Sequence, residues 1–196
     1  MAYTTISTDS LGTGVGFHRP EVPVFEPLTP TDPAIKAMTD LKKVSARTIF
    51  PKESIETANQ KMIQNRIRML FVVNISDEVI GLITANDILG EKPVRIAQQD
   101  QKKHSDITVQ DIMTPVDQID CFQIKDVSTA RVGDIVETLK SKKRQHALVV
   151  DYQGFSNKRT IRGIFSLNQI ARQLGIQVRS YAVGDTLAEI ARVLQA

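Results

Sequence analysis

Cysteine is nearly absent. Cys121 is the only one in 196 residues, so neither an intramolecular disulfide framework nor a multi-cysteine zinc site can form, and a reducing cytosol is the expected compartment. That thiol reads as a small buried hydrophobe. Histidine is almost as scarce: His18, His104 and His146 are scattered, with no paired metal-ligand spacing. No serine sits in a nucleophile elbow, and the cysteine has no nearby basic partner. No catalytic residue, no metal ligand and no required cofactor are therefore assigned. No apolar run approaches bilayer length, and MAYTTISTDS lacks the basic-then-apolar order of a secretory leader. The expectation is a soluble cytoplasmic protein without a membrane partner. Excess positive charge is small, at +3 with a pI near 9.0. The clusters Lys140 to Arg144 and Lys102, Lys103, His104 are short and lack interleaved aromatics, which fits solvated loops and helix ends better than a nucleic-acid surface.

What the chain does contain is enough apolar residues, 41%, to bury a core. Its first 33 residues hold Gly12, Gly14, Gly16 and then Pro20, Pro23, Pro27, Pro30 and Pro33, and read as an extended arm. LGTGVG is not a dinucleotide loop, because its third glycine comes one residue early and no strand precedes it. EVPVFEPL is expected along the folded body, where Val22, Val24 and Phe25 would be covered.

Beyond the arm the chain repeats itself. AIKAMTD (34–40) answers to VQDIMTP (109–115), LFVVN (70–74) to ALVVD (147–151), and GLIT (81–84) to GIFS (163–166). The offset drifts only where loops fall, notably at YQGFSNKRT (152–160). Ser54 to Asn65 places Ile55, Ala58, Met62 and Ile63 on one helical face, and Ala130 to Ser141 does so with Val132, Ile135, Val136 and Leu139. Each helix precedes two short apolar runs, LFVV then VIGLI and ALVV then IRGIF, which read as buried strands. A hydroxyl residue then opens another helix, Ala85 to Leu89 or Leu167 to Leu174. Gly175 looks like a helix stop, and the tail predicts a last amphipathic helix from Asp185 to about Leu194. The fold class is α/β, with two β-α-β-β-α units in pseudo-twofold tandem. The division is 1–33 arm, 34–92 first unit, 93–108 linker, 109–175 second unit and 176–196 C-terminal extension.

This duplicated unit, ending in G-h-h-[ST]-x-x-D, resembles the cystathionine beta-synthase (CBS) domain, and two in tandem resemble a Bateman module. MTD (38–40), TIFPKESIETANQKM (48–62), RMLFVVN (68–74) and GLITANDIL carry the match in the first unit. DIMTP (111–115), RQHALVVD (144–151) and GIFSLNQI carry it in the second. The resemblance implies two clefts between strand-packed units, used in many relatives for AMP, ATP or S-adenosylmethionine, and association into discs of four CBS units.

Within the repeated phrase, Thr84 stands at a strand-to-helix junction where its hydroxyl can cap the helix. Asp87, three positions on, suits the helix dipole and can accept from two vicinal hydroxyls, such as a ribose presents. The resemblance assigns Asp87 to the ribose and Thr84 to ribose or phosphate, and Asn86 is grouped with them. Capping alone is the competing account, and Ser166 with Gln169 has the literal capping-box pattern. A neutral amide offers one carbonyl acceptor, so the second cleft is expected to be weaker, altered or vacant. The remaining walls expected for the first cleft are Arg47, Ile49, Ile67, Arg68 and Met69, and for the second Arg144, Gln145 and His146. The resulting expectation is a regulatory module, not an enzyme, that senses an adenosine-containing nucleotide, passes the signal to an effector protein of unknown identity, and forms a homodimer. The alternative is a structural or dimerisation module with vestigial clefts.

Overall fold

The computed structural model describes residues 7, 8, 10, 13, 26–152, 159–176 and 190. Val22, Val24, Phe25, His18 and nearly all of the expected C-terminal helix lie outside these residues. In chain order the strands are β1 (Thr39–Asp40), β2 (Thr48–Ile49), β3 (Met69–Val73), β4 (Val79–Thr84), β5 (Thr114–Pro115), β6 (Cys121–Gln123), β7 (His146–Tyr152) and β8 (Arg159–Ser166). The helices are α1 (Ile55–Gln64), α2 (Ala85–Leu89), α3 (Lys92–Gln99), α4 (Val109–Ile112), α5 (Ile124–Val127), α6 (Val132–Ser141) and α7 (Leu167–Gln173). A single 3-10 turn, Ala34–Ala37, precedes β1.

The helices form where the apolar spacing puts them. Ser54 caps α1 by accepting from the Thr57 N–H at 3.1 Å, and Ile55, Ala58 and Met62 are buried. Ile63, expected on the same face, is instead 60% exposed: it lies about 100° round the helix from Met62, and the chain turns away at Arg66 with φ 54°. In α6 all four expected residues are buried. Gly175 ends α7 in the left-handed region, φ 75°.

Two four-stranded sheets result, ordered β2-β3-β4-β5 and β1-β8-β7-β6. Every residue of β3 is buried. Leu70 and Val72 face the helices of the first unit, while Met69, Phe71 and Val73 join Leu148 in a cluster with residues of both sheets. Sheet membership does not follow chain order. β1 pairs with β8, and β5 pairs with β4, so the leader of each repeat closes the other repeat's sheet.

This exchange explains the glycine of the repeated phrase. Met38, on the first leader, crosses Gly163, and Met113, on the second, crosses Gly81. A Cβ on Gly81 would stand 2.7 Å from the Thr114 carbonyl oxygen and 2.9 Å from Met113 Sδ.

The segment expected as a linker, 93–108, is folded onto the first unit. Ile96 and Ala97 pack against its core, Ile107 is fully buried, and the Ile107 carbonyl accepts from Ile55 N–H at 3.2 Å. Two terminal residues cover the second unit instead: Leu28, whose N–H donates to the Gln173 carbonyl at 2.9 Å, and Ile190, both part of its core.

Candidate functional site

At the β4–α2 junction, Asp87 Oδ2 accepts from the Thr84 N–H at 2.8 Å and from the Thr84 hydroxyl at 2.6 Å. The Asp87 N–H lies 3.3 Å from Thr84 Oγ1, closing a capping box. Asp87 Oδ1 accepts from Lys92 Nζ at 2.5 Å, and the same ammonium donates to the Ile112 carbonyl at 3.0 Å. Thr108 and Asp111 repeat this box, with Lys102 Nζ 3.2 Å from Asp111 Oδ1. The Asp111 pKa is lowered: burial raises it, but bonds from Thr108 and Lys102 outweigh that.

The second copy of the phrase corrects the sequence expectation. Ser166 makes no side-chain cap, although Ser166 and Gln169 have the literal box spacing. Gln169 Oε1 accepts from the Thr39 hydroxyl at 2.9 Å, and its amide faces the Ala37 carbonyl at 3.4 Å. The exchanged leader supplies partners that the longer glutamine side chain reaches, and they draw it away from its own helix end.

A cavity of about 250 Å³ opens before Thr84, Asn86 and Asp87. Its opposite wall is Arg144, Gln145 and His146 of the second unit, residues expected in the other cleft. Lys143, Asp120, Gln118 and Thr114 complete much of it. The other residues expected beside Asp87 are not among those lining this cavity, although Met69 pairs with Thr84 across β3 and β4. Ile49 is buried in the first core, Met69 in the cluster shared by the two sheets, and Ile67 packs against the first core. Arg47 is exposed and offers its carbonyl to Phe71 N–H. Arg68 stays close: its Nη2 donates to Asn86 Oδ1 at 3.2 Å.

His146 is half-buried. Desolvation, then the Arg68 guanidinium, lower its pKa to about 4, with Asp87 opposing. It is therefore neutral at pH 7 and adds no positive charge to the cavity. Arg144 and Lys143 are exposed and supply the positive charge.

A second hollow of about 200 Å³ adjoins this one and shares Asp120, Arg144 and His146 with it. Phe122, Leu139 and Ala147 give it an apolar wall. Each compartment is smaller than the usual pocket for a drug-sized molecule, and the smaller one has the more apolar wall. Cys121, expected to be buried, is half-buried on the smaller hollow and accepts from Arg159 Nη2 at 3.0 Å. A third hollow, about 450 Å³, lies at the far end of the β7–β8 hairpin and touches none of the repeated phrase.

Asp120, Gln118 and Thr114 were missed in the sequence. Only Thr114 carried a signal, as the repeat partner of Thr39. Among the described residues no group of three His, Cys, Asp or Glu is placed to hold a metal ion, and no helix is long and apolar enough to cross a membrane.

Residues 19–93 match the family model of the CBS domain. The fold is similar to that of an uncharacterized conserved protein from Pyrococcus horikoshii, at 20% identity over 78% of this chain and 99% of that one, with a TM-score of 0.54. It is also similar to the CBS-domain containing protein of Agrobacterium tumefaciens, at 16% identity over 74% and 94%, TM-score 0.52. A third likeness is to CBSX2 of Arabidopsis thaliana in complex with AMP, at 19% identity over 72% and 94%, TM-score 0.51. No curated protein matches the chain.

Proposed function

Because the chain carries a CBS domain and folds as a tandem CBS pair, we propose that it is a regulatory module binding an adenosine-containing nucleotide between its two units. The observation that carries this reading is the joining of Thr84, Asn86 and Asp87 to Arg144, Gln145 and His146 across one cavity. The ribose faces Asp87, the base enters the compartment walled by Phe122, Leu139 and Ala147, and phosphates meet Arg144 and Lys143. The AMP carried by CBSX2 supports this ligand class. Ser166 and Gln169 belong to a cleft that stays vacant, since Gln169 is already engaged by the leader. Binding changes how the two units pack, and an effector protein reads the change. Such a shift is limited to the ligand's difference in affinity between the two packings. The protein acts as a homodimer, for which light scattering at micromolar concentration is the check.

Calorimetry with AMP, ATP, S-adenosylmethionine and adenosine tests the site. Asp87→Asn is expected to weaken every one of them about tenfold or more, the usual worth of a hydrogen bond to a charged group. Gln169→Ala should leave all unchanged. Arg144→Ala should weaken AMP and ATP but not adenosine. Binding by none of the four ligands, or equal losses in the Asp87 and Gln169 variants, would leave the vestigial-cleft reading in its place.

A further inference from the structure

A carboxylate offers about four acceptor positions, two on each oxygen. At Asp87, Oδ2 already takes two hydrogen bonds from Thr84, and Oδ1 takes one from Lys92. At most one position remains. A vicinal diol gripped by both hydroxyls needs two, so the resting geometry is at least one acceptor short of a ribose clamp.

We propose that Lys92 is a releasable strap on Asp87: it must withdraw before the carboxylate can hold both hydroxyls of a ribose, and its withdrawal loosens α4. This rests on the nucleotide reading above and adds its regulation. The strap is built to move. The Lys92 side chain is 38% exposed, whereas Asp87 is 12% exposed, so the lysine can swing into solvent while the acid stays with its helix. Pro93, buried at the start of α3, keeps the lysine backbone fixed meanwhile. The Thr84 bonds cannot serve as the release, because they cap α2 and one of them is a backbone N–H.

The other end of the strap gives the release a consequence. Lys92 also holds the Ile112 carbonyl, the last of the four-residue α4. Immediately after it, Met113 crosses Gly81, and Thr114 pairs with Leu82 and lines the cavity. Losing Lys92 thus frees the carbonyl that precedes the exchanged leader, the segment through which the second unit enters the first unit's sheet. Lys102 on Asp111 is the same chemistry away from the cavity, and provides the control.

The test compares the native chain with Lys92→Met and Lys102→Met, using adenosine and 2′-deoxyadenosine in calorimetry and hydrogen exchange of the ligand-free proteins. In the native protein the 2′-hydroxyl should contribute little, within about threefold. In Lys92→Met the preference for adenosine should rise about tenfold above the native value, since the freed acceptor gains a hydrogen bond to a charged group. Lys102→Met should keep the native preference. Without ligand, the Met113 and Thr114 amides should exchange several-fold faster in Lys92→Met than in the native chain. An unchanged preference in Lys92→Met overturns the gate, and unchanged exchange overturns the coupling to α4. If no protein binds either nucleoside, the nucleotide reading and the gate both fall, and exchange alone decides whether Lys92 restrains α4.

Discussion

Adding one methyl at Gly81 and one at Gly163 tests the leader exchange, because the two glycines are crossed by different atoms. At Gly81 a Cβ meets a backbone oxygen, that of Thr114 at 2.7 Å, as well as Met113 Sδ at 2.9 Å. At Gly163 every near atom belongs to the side chain of Met38. A side chain can repack, but a carbonyl in a sheet moves only with its strand. Overpacking a filled site costs about 1–3 kcal/mol, offset in part by the roughly 0.5–1 kcal/mol that alanine gains over glycine within a strand. Gly81→Ala should therefore cost about 1 kcal/mol, which lowers the melting temperature of a chain this size by about 2–4 °C. A double-mutant cycle then separates the positions. Gly163→Ala with Met38→Ala should show a favourable coupling of about 1–2 kcal/mol, within the range for contacting residues. Gly81→Ala with Met113→Ala should couple less, because the Thr114 oxygen remains. Urea unfolding of the seven proteins, the native chain, four single and two double variants, supplies the free energies. Zero coupling at Gly163, or equal coupling at both sites, would refute the argument that the leaders cross these glycines.

Acidification provides a second prediction, through His146. Its folded pKa of about 4 lies below the ordinary 6.5, so above pH 6.5 neither state carries the proton and stability is unaffected. As the pH falls from 6.5 towards 4 the unfolded chain binds a proton that the native one does not, and about 2 kcal/mol should be lost by pH 5. His146→Gln should flatten that slope in urea titrations between pH 7 and 5; an equal slope in both proteins would exclude the histidine as its source. Below that window a different loss begins. Burial raises the pKa of Asp40, but the Arg162 bond, the Lys42 N–H and the charges of Arg162 and Lys43 together outweigh it and leave it lowered, so its contribution fades only as the pH drops below 4. Arg162→Met should remove this later phase and leave the earlier one intact.

Local pattern made most elements legible. Ile55, Ala58 and Met62, or Val132, Ile135, Val136 and Leu139, sit at spacings that only a helix turns to one side, and LFVV and ALVV are too short and too apolar to be anything but buried strands. The exchange of leaders was not legible, because nothing within AIKAMTD or VQDIMTP states which sheet it completes. Thr39 meets Ile164, far along the chain, and neighbouring repeats invite the opposite assignment. A cleft assembled within each unit therefore groups Thr84 and Asp87 with Ile49 and Met69 alone, and does not foresee that the folded chain also brings Arg144 and His146 to the same cavity.

The capping expectation failed for a related reason. Box statistics favour glutamate or glutamine at the third position, which pointed to Ser166 and Gln169. Yet aspartate closes the box at Thr84 and again at Thr108, while Gln169 is claimed by Thr39. A cap is a competition between the helix end and every other polar group within reach, and a short carboxylate has fewer alternatives than a long amide. On the function proposed above, the acid of the first unit serves two purposes in sequence. At rest it caps a helix and holds a lysine; with ligand present, the oxygen held by that lysine is the one free to exchange partners. On that proposal the local stability and the ligand response of the first repeat draw on a single carboxylate, whereas in the second repeat Gln169 fastens the leader exchanged from the first.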